Sequence, residues 1–166
     1  MTFSVFVAAL AIDSKLRGCD LVRLKVEDVM AAGQLKTRSL IVQKKTARPV
    51  QFEITERTRA SVASLIREQG LSGPDFLFRS RIASSPRLST RQYSRLVCGW
   101  VKSIGLNAAT YGTHSLRRTK AVIIYRRTGN LRAVQLLLGH TKLESTVRYL
   151  GVEVDDALAI SEQVDL

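Results

Sequence analysis

The stretch THSLRRTKAVIIYRRTGNLRAVQLLLGHTKLESTVRYLG, Thr113 to Gly151, constrains the fold more than any other part of the chain. Its leucines, isoleucines and valines fall in three helical runs separated by Gly129-Asn130 and by Gly139, with Asn130 placed to cap the second run. Thr141-Lys142-Leu143-Glu144 fits a capping box, which predicts a third helix with Leu143, Val147 and Leu150 inward and Tyr149 on a different part of the surface. The only two histidines of the chain, His114 and His140, stand in this stretch. His114 opens H-S-L-R, so His114 and Arg117 share one helical face. An imidazole beside a guanidinium, a second imidazole and a late tyrosine point to chemistry on a phosphodiester, with the tyrosine as nucleophile.

The charge balance agrees with a polyanionic partner. Lys plus Arg number 26 against 14 Asp plus Glu, a net charge of +12, which favours nucleic acid first and a membrane surface second. The chain has 166 residues, 45% of them hydrophobic, enough for one globular domain with one good core. Cys19 and Cys98 lie far apart without a CxxC pair and read as reduced thiols of a cytoplasmic protein. The apolar run Phe3 to Ile12 is too short to span a bilayer and lacks the flanks of a signal peptide, so a core helix is expected there.

Further along, Asp13 and Ser14 introduce a turn, and a short helix follows with Leu21 and Leu24 inward. Leu40-Ile41-Val42 and the alternating Val50, Phe52 and Ile54 predict a hairpin with one buried face and a basic tip at Lys45 to Arg48. Thr55 caps a helix that runs through Arg67 and stops at Gly70. The segment Leu71 to Leu88 reads as a loop from which Phe76-Leu77-Phe78 reaches the core, and Arg79, Arg81, Arg87 and Arg91 are candidates for phosphate-backbone contact. Thr90 opens a helix with an apolar stripe of Tyr93, Leu96, Val97, Trp100, Val101 and Ile104. A last amphipathic helix is expected around Asp155 and Asp156, carrying Val154, Leu158 and Ile160.

The H-x-x-R at His114, the L-L-G-H that ends at His140 and the tyrosine at Tyr149 resemble the tyrosine recombinases, the phage-integrase family of site-specific DNA recombinases. The likeness covers nearly the whole chain. It implies a mainly α-helical catalytic domain with a small antiparallel β-sheet, an α+β fold. It also implies a first arginine followed three residues later by an acid, matched by Arg17 and Asp20, where the family more often has glutamate. A hairpin lysine is implied too, matched by Lys45, with Lys44 as the competing assignment. In the family's chemistry Tyr149 attacks phosphorus, and Arg17 and Arg117 neutralise the phosphate. Lys45 is then the general acid for the 5′ oxygen, His114 assists proton transfer and His140 hydrogen-bonds the phosphate. The partner so implied is double-stranded DNA, with self-association on paired sites and with no metal, cofactor or membrane.

The match begins within the first twenty residues, so the expectation is a single catalytic domain over 1–166 without the family's N-terminal core-binding domain. Two other DNA-directed readings fit parts of the chain. A helix-turn-helix regulator would use the helices around Gly139 but leaves His114, Arg117 and Lys45 unused. A type IB topoisomerase shares the residues and would relax strands without recombining them. A two-metal nuclease would need clustered carboxylates, and the acids here are scattered.

Overall fold

Helix α1 (Phe3–Ser14) is apolar almost all round, the composition of a helix enclosed by others. The computed structural model, which describes residues 3–82, 84–151 and 162, buries Phe6, Val7, Leu10 and Ala11 of this helix. Its C-terminal Asp13 and Ser14 do not form a turn as the sequence suggested: they end the helix and are buried. Lys15 follows with a left-handed φ of 54°, and Arg17 precedes the short helix α2 (Gly18–Leu21). Leu21 and Leu24 point into the core as expected.

Three short elements escaped the sequence reading. Helix α3 (Val26–Val29) is a single turn, started by the Asp28 carboxylate accepting from the Lys25 amide at 2.8 Å. Strands β1 (Met30–Ala31) and β2 (Gln34–Leu35) pair across Ala32-Gly33, both at positive φ. Two-residue strands have no alternation to detect, so only the turn residues could have signalled them.

The expected hairpin is β3 (Arg38–Val42) and β4 (Pro49–Glu53), antiparallel with Ile41 opposite Val50. Val50 and Phe52 are buried, as is Ile54 just beyond, whereas Leu40 and Val42 face out. Helix α4 (Glu56–Glu68) begins where the Thr55 hydroxyl accepts from the Thr58 amide. Leu77 and Phe78 anchor the following loop in the core. Helix α5 (Thr90–Ser103) starts with a capping box between Ser89 and Gln92 and buries Tyr93, Val97 and Val101, while Leu96 and Trp100 pack on the core from its edge. Ile104, expected on that stripe, is 70% exposed because it lies at the helix C-cap.

Helices α6 (Thr113–Thr128), α7 (Leu131–Leu138) and α8 (Leu143–Leu150) follow, with Gly129, Gly139 and Gly151 in left-handed conformations after each. Asn130 caps α7 through the Ala133 amide. The capping box predicted for α8 is not formed. Lys142 is the N-cap, without a side-chain bond, and Leu143 faces solvent. The rotation this implies buries Thr146 and turns Tyr149 toward α6 and α7, not toward a separate face.

Most buried apolar residues form one cluster around α1, α4, α5 and the β3–β4 hairpin. Ala121, Val134 and Leu138 form a second, smaller cluster, with Ile124, Tyr125, Tyr149 and Leu150 against it. Among the described residues no helix is long and apolar enough to cross a membrane. The helix expected at 154–160 lies outside the described residues.

Candidate active site

The two clusters meet along a polar seam, and Arg117 lies in it. Its side chain leaves α6 and is 97% buried, with 3% exposure, so its guanidinium needs fixed partners in place of water. Nε donates to the Lys15 carbonyl at 2.7 Å and Nη2 to the Leu138 carbonyl at 2.6 Å. Burial pulls this arginine's pKa down while Tyr149 and Asp20 pull it up; a guanidinium stays charged at neutral pH through such shifts.

Arg17 joins the same seam through Gln43, a residue the sequence reading passed over. Gln43 is buried at the hairpin's end, and its Oε1 accepts from Arg17 Nη1 and, at 2.9 Å, from the Thr46 hydroxyl. Its Nε2 reaches the Leu138 carbonyl at 3.4 Å. Both arginines are thereby tied to one carbonyl at the end of α7. Asp20, expected to hold a guanidinium or cap a helix, does neither. Its Oδ1 accepts from the Lys44 amide at 2.8 Å, which fixes the turn that bears Lys44 and Lys45. Its Oδ2 is buried and has no hydrogen-bond partner among the described residues. Lys45 is solvent-exposed on that turn, two residues after Gln43 in the chain.

Gly139 makes the junction of α7 with the hairpin possible. It takes φ 65°, and a Cβ there would overlap Val50 Cγ2 and crowd the Gln43 amide. Both demands exclude larger residues. The next residue, His140, is fixed by its amide donating to the Gln135 carbonyl at 3.1 Å. Its Nδ1 lies 3.2 Å from the hydroxyl of buried Thr146. Burial, with Arg117 and Arg17 nearby, drops the imidazole's pKa from 6.5 to about 4, so it is neutral at pH 7.

Tyr149 completes the group. Its ring lies over the Arg117 guanidinium, 5.5 Å from Cζ to centroid, and meets the His140 ring edge-on at 5.4 Å. Its hydroxyl donates to the His114 carbonyl at 3.3 Å. Burial pushes the phenol's pKa up, opposed by Arg117, Arg118 and Arg17. The imidazole of His114 is exposed, and it shares an open cleft with Arg118, Arg148 and Tyr149. Of the other tyrosines, Tyr93 is buried against Gly18 and Tyr111 is exposed, while Tyr125 packs on the second cluster. Arg117, His140 and Tyr149 are thus brought together by side-chain contact, Arg17 through Gln43, His114 through its backbone, and Lys45 only through its turn.

Two of the loop arginines are engaged within the protein. Arg79 pairs with Asp75 at 2.7 Å, and Arg87 lies over the Phe76 ring. Arg81 and Arg91 are exposed.

The fold matches solved tyrosine-recombinase structures. The XerA recombinase superposes with a TM-score of 0.77 at 21% identity, over 95% of this chain and 56% of its own. XerH bound to its difH substrate gives 0.72 at 21% identity, over 98% and 49%. Residues 4–155 match the model of the phage integrase family, and the chain belongs to that family. Among its relatives are a probable integrase/recombinase, YoeC, of Bacillus subtilis, 28% identical over 93% of this chain and 80% of that protein. The tyrosine recombinase XerC of Psychromonas ingrahamii is 28% identical over 90% of this chain and 49% of its own length. The chain therefore spans most of the first relative and about half of the second.

Proposed function

We propose that this chain is a site-specific DNA recombinase that breaks and rejoins strands through a 3′-phosphotyrosyl intermediate. The observation that carries the reading is the contact of Tyr149 with both Arg117 and His140 at the seam where Arg17 is also anchored. The Tyr149 oxygen attacks the scissile phosphorus and forms a new P–O bond, while the bond to the 5′ oxygen breaks. Lys45 supplies the proton that leaves with the 5′ hydroxyl, and His114 assists removal of the phenolic proton. Arg17 and Arg117 neutralise the charge that builds on the non-bridging oxygens, the dominant contribution in phosphoryl transfer. In the tautomer whose Nδ1 accepts from the Thr146 hydroxyl, neutral His140 presents Nε2–H to the phosphate as a donor. Attack of another strand's 5′ hydroxyl on the phosphotyrosine reverses these steps and conserves the bond, so no cofactor is consumed.

Recombination joins two sites, so the reading includes self-association on paired duplexes. The family likeness supports it, as does the lambda integrase dimer bound to a COC' core site, whose fold this chain shares with a TM-score of 0.69. The helix-turn-helix alternative fits less well, because α8 turns Thr146 and Tyr149 inward toward the arginines.

The test uses nicked duplexes from the flanks of the protein's own gene, which trap covalent intermediates. The adduct is expected on Tyr149, lost in Tyr149→Phe with binding retained, and formed in EDTA. An adduct on Tyr111 or Tyr125 overturns the nucleophile, and restoration by magnesium after chelation overturns the metal-free chemistry. Relaxation of supercoiled DNA without site preference or joint products would favour the topoisomerase-like reading.

A further inference from the structure

Lys15 is an unusual residue for its place. It terminates α1 in the left-handed region, φ 54°, where an L side chain crowds the backbone and glycine is the ordinary occupant. Its side chain is fully buried, with 0% exposure, although an ammonium is costly to remove from water. Such a pairing of backbone strain with a buried charge persists only where the surroundings enforce it.

The surroundings are specific. Lys15 Nζ donates to Glu53 Oε1 and to the Asp13 carbonyl, both at 2.7 Å. Glu53 Oε1 and Asp13 Oδ1 also take Lys120 Nζ, each at 2.8 Å. Asp13 Oδ2 accepts from the Thr55 amide and hydroxyl. One ionic cluster therefore joins the end of α1, strand β4 and helix α6. The other end of the same residue, the Lys15 carbonyl, receives Arg117 Nε at 2.7 Å.

We propose that Lys15 is a positioning residue for Arg117: its buried ammonium locks the left-handed turn whose carbonyl aims the guanidinium at the scissile phosphate. Glycine would permit this turn but leave it free to rotate. The clamped ammonium leaves the carbonyl a single direction. Together with the Leu138 carbonyl it fixes two edges of the guanidinium, and among the described residues Nη1 makes no hydrogen bond within the protein and is available to the phosphate. The inference rests on the recombinase reading for its chemical consequence, though its geometric part stands apart from activity.

The variants are Lys15→Gly, which relieves the backbone but removes the ammonium, and Lys15→Met, which keeps side-chain bulk without charge. In protein labelled with 15N-arginine, the Arg117 Nε–H should exchange with solvent measurably faster in both variants than in the native chain. Unchanged exchange overturns the proposal, whether or not the protein cleaves DNA. On nicked duplexes, cleavage by Lys15→Gly should fall about 10- to 100-fold at unchanged DNA affinity, the scale of a misplaced catalytic group. A neutral methylphosphonate at the scissile position removes the charge that Arg117 serves and should shrink the deficit several-fold. An equal deficit on both substrates, or none on either, overturns the proposal. A native chain that forms no adduct overturns the recombinase reading, and arginine exchange then still decides the geometry. If Lys15→Met fails to fold, Lys15→Gly, relieved of strain, carries the same outcomes.

Discussion

His140 shows how burial sets a role. Its depressed pKa, about 4 against 6.5 when exposed, means that the unfolded chain binds a proton across that window and the native chain does not. Stability should therefore rise with pH from about 4 to about 6.5 and be lost in the reverse direction. Asp13 and Glu53 act lower. Burial alone would raise their pKa values, but hydrogen bonds from Lys120, with Thr55 and Thr58 on Asp13 and Lys15 on Glu53, leave both depressed. Their contribution is present above the ordinary carboxylate values, 3.8 and 4.5, and disappears as pH falls below them. Urea midpoints for the native chain and His140→Asn should diverge least at pH 5 and most at pH 7, because the imidazole's advantage belongs to its neutral form. Proton NMR of His140 should be flat from pH 8 to about 5.5. Thr146→Val removes the hydroxyl that faces Nδ1 and should slow cleavage about 10-fold or less, with DNA affinity unchanged, at the modest scale of one neutral hydrogen bond.

Among the elements, the α7–α8 junction and the β3–β4 hairpin meet at Gly139. Gly139→Ala should cost about 1–2 kcal/mol for the left-handed backbone alone, with more from overlap with Val50. It would also displace the Leu138 carbonyl that holds Arg117, so cleavage should fall further than stability explains. Urea unfolding and single-turnover cleavage of the same preparation separate the two effects. The hairpin tip is tested by chemistry: Lys45→Ala should slow cleavage of ordinary DNA sharply but spare a substrate with a 5′ thiolate leaving group, which needs no proton. Equal losses would leave Lys45 a phosphate contact only, and a large effect at Lys44 instead would move the assignment to that residue.

Over the whole molecule the net charge of +12 and the exposed Arg118 and Arg148 beside Tyr149 imply binding dominated by phosphates. The logarithm of the DNA association constant should fall with that of salt concentration with a slope of about −5 or steeper, and Arg118→Ala should reduce it by about 1. A slope near zero, measured by anisotropy between low and physiological salt, would contradict a phosphate-tracking surface. The seam position of the site has a consequence at this scale. Arg117, His140 and Tyr149 come from α6 to α8 while Arg17 is tied to the hairpin side through Gln43, so relative movement of α6–α8 against the hairpin would separate Arg117 from Arg17.

Local rules made much of this legible. The helices α4 to α7, the hairpin and the stops at Gly70, Gly129 and Gly139 follow from periodicity, capping and the backbone freedom of glycine, which act over a few residues, and the H-x-x-R and L-L-G-H motifs were legible through the family resemblance. What the tertiary structure decided lies beyond that range. Tyr149 points inward because α8 begins at Lys142 without the expected cap, and that rotation is set by packing on α6 and α7. Asp20 serves the Lys44 amide, and Gln43 bridges Arg17 to the end of α7. The Arg17-to-Asp20 spacing marks Asp20 but not this role, and no pattern marks Gln43, since each role exists only once distant backbone groups are brought within hydrogen-bonding reach. Lys15 is the clearest case: a lysine after a helix looks like a solvated charge, and only Glu53, Lys120 and the carbonyl contact with Arg117 make it an internal strut.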